Sequence, residues 1–261
     1  MIKLSFNACE FIFDGISSGQ YDMMIAYLNN DRPDNITVSK HIIDRYKPKF
    51  GKSKILNVSE DEIRSFEISL VRSTPINPHE INSISAWLMP KDNKYRKLYI
   101  DDEKYQGYYY NCKVLEIEAT EINGYPYAIK CKVECDSLYS YSNERKKTYN
   151  SPTLPLTINF VNDSSEELKP LFKFKCSTQN GNISLQNQST DKTMILSNLS
   201  LNETITINCA EQSIVSDLGY LRLKDFNKEF MDFKKGMNKL ILSGNADYFE
   251  LIYQNSKIFG N

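Results

Sequence analysis

The sequence predicts a mainly β protein of two domains, with one α-helix in the first half. Three observations support this prediction: strand-like patterns follow one another along the chain, aromatic residues are abundant, and a polar break separates two strand-rich halves. Aromatic side chains make up 12% of the 261 residues, with 17 Tyr and 13 Phe. These side chains favour strands, because they pack well on a pleated, half-buried surface.

Alternating segments in the first half indicate half-buried strands. Apolar and polar side chains alternate over residues 66–70, and two longer segments follow at residues 108–119 and 128–135. Asn123-Gly124 lies between the two long segments and is a preferred two-residue turn of a β-hairpin. We therefore expect one long hairpin in this half, and a sandwich-like or barrel-like arrangement of its strands.

One helix is expected after residue 77. Asn77 can cap it, Pro78 suits its first turn, and Glu80 stands at the third helical position, where it completes a capping box. An apolar stripe follows at helical spacing, which would face a core. Its members are Ile81, Ile84, Trp87 and Leu88. We interpret Trp87 as a core residue and not as a ligand-stacking ring, because a Trp in a helical stripe is most often buried.

The pattern breaks between residues 141 and 155, where charged and polar side chains are followed by Pro152. This is the best domain boundary, because linkers are exposed and polar. The expected division is a domain of residues 1–142, a linker of residues 143–150 and a domain of residues 151–261. Short, evenly spaced strands in the last domain indicate a β-sandwich. They are expected at residues 156–160, 171–175, 182–185, 193–196 and 204–208.

The last quarter of the chain carries no chemical motif. Phe230 and Phe233 precede Gly236-Met237-Asn238, which we interpret as a chain-reversing turn because Gly and Asn tolerate positive φ. Leu240 and Leu242 then fall on one face of a strand. The segment therefore predicts a scaffold and not a reactive site.

Charge and hydropathy exclude several function classes. The chain has 32 basic and 33 acidic side chains, a net charge of −1, and no basic stripe, so we expect no nucleic-acid sequence recognition. No apolar run is long enough to span a membrane. Asn7 and Glu10 interrupt any apolar segment at the N-terminus, so no signal peptide is expected.

No catalytic motif is present, so we expect no enzymatic activity: no catalytic, cofactor-binding or metal residues are assigned, and no cofactor is expected. The two histidines are distant in sequence: His41 lies in a loop-like segment, residues 39–43, and His79 in the first turn of the expected helix. No cysteine pair has the CxxC spacing of a zinc site. We expect reduced thiols that fill the core, at Cys9, Cys112, Cys131, Cys135, Cys176 and Cys209.

Two other functions remain open at this point. A β-sandwich carbohydrate-binding module that contacts host surface glycans could stack sugars on Tyr220, Tyr248 or Tyr253, although alternating Tyr residues more often pack across strands. A glycan-cleaving hydrolase would need a pair of carboxylates, and the sequence alone nominates none.

The chain resembles the distal tail proteins of long-tailed bacteriophages, the siphophage tail component family. The resemblance covers nearly the whole chain, with its motifs in the right order. The first motifs are Phe-Asp-Gly-Ile-Ser-Ser at residues 13–18, Ala-Trp-Leu at 86–88, Leu-Tyr-Ile-Asp-Asp at 98–102 and Tyr-Tyr-Tyr at 108–110. The later motifs lie at residues 181–184, 203–208 and 233–244.

The resemblance implies a structural virion protein that forms a homohexameric ring at the tail tip. The N-terminal domain would form the ring and the C-terminal domain would be a galectin-like β-sandwich outside it. The implied partners are copies of the same chain, the tail tube protein, the tail hub protein and possible receptor-binding proteins. The implied location is the phage tail tip, after assembly in the host cytoplasm. From the residues themselves, the long strands of the N-terminal domain and the polar loop of residues 39–53 are expected to offer the two surfaces that ring contacts need.

Overall fold

The computed structural model describes residues 9–26, 41–46, 54–60, 63–103 and 106–258, with only the backbone described at 41–46 and 54–60. Within this part of the chain the protein is mainly β, and Pro78–Leu88 is the α-helix. The mainly β fold class with one helix is therefore confirmed. The chain divides into two compact units, an N-terminal unit that ends at Tyr141 and takes in Ile258, and a C-terminal unit of Ser142–Lys257.

The elements of the N-terminal unit form an antiparallel sheet and a separate hairpin. The sheet has the strand order β2-β1-β7-β8-β9-β6-β3, with β10 also paired to β8, and β4 pairs with β5. The strands are Phe11–Phe13 (β1), Ile16–Ser17 (β2), Met24–Ile25 (β3), His41–Tyr46 (β4), Lys54–Glu60 (β5), Ser65–Val71 (β6), Arg96–Ile100 (β7), Tyr108–Ile122 (β8), Tyr125–Cys135 (β9) and Ser140–Ser142 (β10), and the helix is Pro78–Leu88 (α1).

Helix α1 begins with the capping box that the sequence predicts. The Asn77 side chain accepts a hydrogen bond from the backbone N–H of Glu80 at 2.9 Å, and the Glu80 carboxylate accepts one from the Asn77 N–H at 2.9 Å. Arg72 holds the same carboxylate through two hydrogen bonds of 2.9 Å. The two bonds of the capping box satisfy backbone N–H groups that have no partner within the helix.

Trp87 is a core residue of the N-terminal unit, as predicted. Its ring stacks on Phe11 and on Tyr21, with centroid distances of 5.6 Å and 4.8 Å. Its indole N–H donates to the Phe13 carbonyl at 3.1 Å, which satisfies the polar end of a buried ring. The helix thus packs its stripe on the β1 side of the sheet.

Two tight hairpins follow from residues that tolerate positive φ. Asn123 and Gly124 have φ values of 52° and 78° between β8 and β9, so the hairpin expected there is present. Asp14 and Gly15 have φ values of 52° and 79° between β1 and β2. Positive φ at both central residues matches the twist of the flanking strands.

The loop expected at residues 39–53 is not a loop throughout, because His41 begins strand β4. This strand pairs antiparallel with β5, and its sequence contains the strand-forming residues Ile42, Ile43 and Tyr46. The expectation weighted the flanking polar residues above this β-branched and aromatic run. Residues 47–53, the other part of the expected ring-contact loop, lie outside the described residues.

The C-terminal unit is a β-sandwich of two antiparallel sheets. One sheet has the order β11-β19-β13-β16-β17 and the other β12-β18-β14-β15. Both sheets contribute to one core, which includes Phe160, Phe172, Phe233 and Phe249. The strands are Arg145–Asn150 (β11), Leu156–Asn162 (β12), Leu171–Cys176 (β13), Gly181–Asn187 (β14), Lys192–Leu199 (β15), Thr204–Asn208 (β16), Ser213–Ser216 (β17), Gly236–Gly244 (β18), Ala246–Tyr253 (β19) and Ser256–Lys257 (β20).

Residues 143–150, expected to form a linker, contain an edge strand. Strand β11 pairs with β19 along its whole length, from Arg145 opposite Tyr253 to Asn150 opposite Tyr248. Its polar composition reflects its place at the end of the sheet, where charged side chains discourage pairing with other chains. Tyr149, in contrast, packs against the core.

The expected turn at Gly236-Met237-Asn238 is the beginning of strand β18. Gly236 has a φ of 92°, but Asn238 lies in the strand and its side chain is buried. The Asn238 amide donates to the carbonyls of Lys234 and Gly236 at 2.8 Å and 3.0 Å. Its local hydrogen bonds therefore close the bend that precedes the strand, while Leu240 and Leu242 are both buried, as expected.

Candidate interaction surfaces

The described residues contain no group of three or more His, Cys, Asp or Glu side chains that could hold a metal ion. In the same residues, no helix is long and apolar enough to cross a membrane. His79 lies exposed in the first turn of α1, and the His41 side chain is outside the described part of the chain.

The cysteines lie mainly in the two cores. Cys112, Cys131 and Cys135 are buried in the N-terminal unit, and Cys176 and Cys209 are buried in the C-terminal unit. Burial raises the pKa of the Cys131, Cys135 and Cys209 thiols to about 12. These thiols are protonated at neutral pH and are poor nucleophiles and metal ligands in the folded state.

The β8–β9 hairpin extends beyond its neighbour strand. Strand β7 pairs with β8 only over Tyr110–Cys112, so it does not cover the part of β8 that follows. Residues 115–125 are all described and none of them is buried. We call this segment the hairpin arm. An exposed strand edge of this kind is a ready template for contact with another chain.

A β-bulge sets the orientation of the hairpin arm. Val114 lies opposite Val133, but Glu116 lies opposite Lys132, so Leu115 is an extra residue in β8. Leu115 is consequently exposed, and Ile117 packs against the core on the same side as Val114. Bulges occur at sheet edges, where they bend the strand and redirect its side chains.

The hairpin arm carries both apolar and acidic side chains. Leu115 and Tyr125 are exposed apolar residues, and 61% of Tyr125 is accessible to solvent. Glu116, Glu118 and Glu121 are exposed on the same strand. Such a mixture of an aromatic, an aliphatic and charged side chains is typical of a protein contact surface.

A groove of about 340 Å³ lies elsewhere on the N-terminal unit. Its lining combines apolar side chains with the carboxylates of Glu10 and Asp101. The Ser17 hydroxyl donates to the Glu10 carboxylate at 3.3 Å. Histidine and cysteine are absent from its described lining, which is Glu10, Phe11, Ile12, Ser17, Tyr99, Ile100, Asp101, Gln106, Gly107 and Tyr108.

A second exposed surface lies on the C-terminal unit after the edge strand β17. We call residues 217–224 the display loop. Most of its apolar side chains point into solvent, and 88% of Leu221 is accessible. The exposed apolar side chains of the loop are Leu218, Tyr220, Leu221 and Leu223. Contiguous apolar side chains at a surface often mark an interaction site.

Arg222 anchors the display loop to the sandwich. Its guanidinium donates to the Glu203 carboxylate at 2.8 Å and 2.6 Å, a two-point contact in which both side chains are buried. It also donates to Asp225 at 2.9 Å and to the Asn198 carbonyl at 3.1 Å. The same guanidinium lies over the Tyr220 ring, with its central carbon 4.8 Å from the ring centroid. The loop is therefore held by one buried side chain while its neighbours remain exposed.

The Glu203 carboxylate is held ionised by its hydrogen bonds. Burial alone would raise the pKa of Glu203, but donation from Arg222, Ser216 and the Ser200 N–H outweighs burial and lowers it. The Ser216 hydroxyl donates at 2.6 Å and the Ser200 N–H at 2.8 Å. Carboxylates that accept several such bonds favour the charged form.

Comparisons with known proteins identify the family. A family model described as the N-terminal domain of a phage tail protein matches residues 6–137, which is more than half of the chain. A second model, described as a phage tail C-terminal domain, matches residues 139–253.

This chain belongs to the phage tail protein family. The resemblance to phage tail components that the sequence motifs indicate is thereby confirmed, and the chain is a component of the virion. A comparison with curated proteins gives no match.

The phage tail protein shares its fold with a solved structure. The crystal structure of phage SPP1 Dit (gp 19.1) is described as a paradigm of the hub adsorption apparatus in phages that infect Gram-positive bacteria. It matches with a TM-score of 0.70 and 11% identity, over 96% of this chain and 99% of that one. Two structures of the phage P2 baseplate in its activated conformation, with Ca and with Sr, match at 10% identity and TM-scores of 0.44 and 0.45. Each match covers 95% of this chain and 98% of the baseplate chain.

Sequence reasoning located the strands of this phage tail protein but missed its surfaces. The long segments 108–119 and 128–135 predicted the hairpin, yet they did not show which part of it lies beyond β7. The exposed run at residues 218–223 gave a usable signal, because four large apolar or aromatic side chains surround one Arg in a short segment without strand alternation.

Proposed function

We propose that this phage tail protein is a distal tail protein, which forms a homohexameric ring at the tail tip. The observation that carries the proposal is that a two-unit fold like that of phage SPP1 Dit extends over 96% of the chain. The ring would join the tail tube protein to the tail hub protein and to further parts of the baseplate. The site of assembly would be the cytoplasm of the host bacterium.

The N-terminal unit would form the ring, with the hairpin arm as one contact surface. A closed ring needs heterologous contacts, in which one surface of a subunit meets a different surface of the next. The hairpin arm offers an uncovered strand edge and an exposed aromatic ring at Tyr125. Glu116 and Glu118 lie opposite Lys132 and Lys130 on β9, so the hairpin presents charges of both signs to a facing surface.

The C-terminal unit would project from the ring as a galectin-like sandwich and carry other baseplate proteins, such as receptor-binding proteins. The display loop supports this role, because exposed apolar side chains on an anchored backbone lose little conformational entropy on binding. The carbohydrate-binding alternative has no comparable support. The Tyr253 ring packs edge-on against Phe160 at 4.8 Å, so it belongs to the margin of the core.

No chemical reaction is part of the proposed role. The protein would act without a cofactor, and the function would lie in its contacts with copies of itself and with other tail proteins.

Electron microscopy of the purified full chain tests the proposal. We expect rings with a central opening, formed alone at high protein concentration or with the tail tube and hub proteins. The double substitution of Leu115→Asp and Tyr125→Asp should abolish the rings, because it places two more carboxylates on the contact surface.

The matched control is Met237→Asp on the C-terminal unit, since 60% of Met237 is accessible, as against 61% of Tyr125. This variant should still form rings. Rings that survive the double substitution would exclude the hairpin arm as a contact. A wild-type chain that stays monomeric even with the tube and hub proteins would overturn the proposed function.

A further inference from the structure

Two buried cysteines of the N-terminal unit face each other across neighbouring strands. Cys112 on β8 lies directly opposite Cys135 on β9. The backbone N–H of Cys135 donates at 2.8 Å to the Arg64 carbonyl, on the β6 side and away from β8. The N–H of the next residue, Asp136, donates at 2.9 Å to the Asn111 carbonyl. Cys112 and Cys135 are therefore a non-hydrogen-bonded pair of the antiparallel ladder.

This class of pair brings side chains closest together. The Cα atoms of a non-hydrogen-bonded pair are about 4.5 Å apart, and the side chains project to the same face. A disulfide spans Cα separations of about 4.4–6.8 Å, so the backbone of the pair already satisfies the distance requirement. Rotation of the two side chains and a small approach of the Cβ atoms would complete the bond geometry.

Within the described residues, the strand registers place no other two cysteines opposite each other. Cys131 lies opposite Ile117 on β8 and Ile68 on β6, and it is about 13 Å along the strand from Cys135. Cys9 lies opposite Ile25. Cys176 and Cys209 belong to the C-terminal unit, at opposite ends of the β13–β16 ladder. Oxidation of the folded chain would therefore be selective for one pair.

The position of the pair also provides a route for a reagent. Both side chains are fully buried, so reaction requires a local opening of the sheet. Cys112 lies at the end of the β7–β8 ladder, where it pairs with Arg96, and Cys135 lies just past the last β6–β9 pair, Ser65 opposite Glu134. The ends of ladders open more readily than their centres, because fewer hydrogen bonds must break.

We propose that Cys112 and Cys135 are a modification site that forms a cross-strand disulfide by exchange with a low-molecular-weight disulfide such as oxidised glutathione. One cysteine loses its proton, and its thiolate attacks a glutathione sulfur to form a mixed disulfide, with release of one glutathione thiolate. The second cysteine thiolate then attacks the mixed disulfide and releases the second glutathione. The two cysteine thiols are oxidised, oxidised glutathione is reduced, and the two protons end on the two glutathione thiols.

The disulfide would cross-link β8 and β9 at the base of their hairpin, at the end opposite the hairpin arm. A cross-link restricts the unfolded chain, and it would also hold β8 and β9 together next to the uncovered edge. The pair would stay reduced in the host cytoplasm and become oxidised after the virion leaves the cell, because the exterior is an oxidising environment. This consequence relies on the chain being a virion component, whereas the chemistry of the pair does not.

The test treats the reduced full-length protein with oxidised glutathione at a mild urea concentration that permits local opening. Intact mass should fall by two hydrogens, and non-reducing peptide mapping should show one cross-link, between the peptides that contain Cys112 and Cys135. The oxidised protein should unfold at a higher urea concentration than the reduced protein, and reductant should reverse the shift.

Two variants distinguish a disulfide between Cys112 and Cys135 from reactions of the other cysteines. Cys131→Ser should form the same cross-link, whereas Cys112→Ser should stop at a glutathione adduct on Cys135 and show no rise in the urea midpoint. Adducts without a cross-link in the wild-type chain, or a cross-link between other cysteines, would overturn the proposal. If a serine variant fails to fold, peptide mapping of the oxidised wild-type chain still decides whether Cys112 and Cys135 are cross-linked.

Discussion

Arg222 stabilises the display loop through a buried charge that is fully paired. Removal of a charge from water is costly, and the cost is offset only when the partner and the remaining donors are satisfied. Glu203 supplies two acceptors, and Asp225, at 2.9 Å, supplies another. The pair therefore anchors the loop to the sandwich next to the exposed side chain of Leu221.

Substitution of Glu203 by Gln should destabilise the C-terminal unit by about 3 kcal/mol, because it leaves a buried guanidinium without its main counter-charge. The lowered pKa of Glu203 also sets a pH dependence. A carboxylate with a lowered folded pKa contributes stability that is complete above its ordinary pKa, near 4.5, and is lost as the pH falls through the folded value.

Urea unfolding at neutral pH and at about pH 3 measures both effects. The loss of stability on acidification should be smaller in Glu203→Gln than in the wild-type chain. The control is Glu211→Gln, an exposed residue before β17, which should match the wild type at both pH values. Equal stability of Glu203→Gln and wild type at neutral pH would show that the ion pair does not anchor the loop.

At the scale of elements, local signals predicted structure where one short motif determines the backbone. Asn77 with Glu80 specified the start of α1, and Asn123-Gly124 specified the β8–β9 turn. Each signal acts through hydrogen bonds or φ values within four residues, so it does not depend on the rest of the fold.

Other elements depend on partners far away in the sequence and could not be predicted. Strand β11 is polar, and only its pairing with β19 makes it a strand. The bulge at Leu115 depends on the register between β8 and β9, which alternation in one strand does not reveal. The hairpin arm follows from the short length of β7, so the candidate ring surface was beyond sequence reasoning as well.

The corner between β18 and β19 provides a test of backbone packing at this scale. Gly244 has a φ of 99°, and a Cβ atom there would collide with the Asn182 carbonyl oxygen. Gly236, at the other end of β18, has a φ of 92° and open space where a Cβ would lie. Both glycines thus have a positive φ, but only Gly244 also lacks room for a Cβ atom.

Gly236→Ala should cost about 1–2 kcal/mol, from the unfavourable φ alone. Gly244→Ala should cost about 2 kcal/mol more, because the carbonyl must also move and its hydrogen bond with the Asn245 N–H, at 2.7 Å, is disturbed. Chemical denaturation of the two variants gives the difference. Similar losses in both variants would mean that the corner adapts without strain.

At the scale of the whole molecule, each unit has its own hydrophobic core. The core of the N-terminal unit contains Trp87 with Phe11, and that of the C-terminal unit contains Phe233 with Phe160. The two family models end and begin near the same place, at residues 137 and 139. Separate cores allow separate cooperative unfolding, because the apolar burial that stabilises one unit is not lost when the other opens.

We therefore expect two calorimetric transitions, each of which responds to substitutions in one core. Trp87→Ala removes a ring that packs on Phe11 and Tyr21, and it should lower the stability of the N-terminal unit by about 3–5 kcal/mol. Phe233→Ala should lower that of the C-terminal unit by a similar amount, because the Phe233 ring packs 4.8 Å from Phe160. Each variant serves as the control for the other. A single transition that moves in both variants would instead mean that the chain unfolds as one cooperative body.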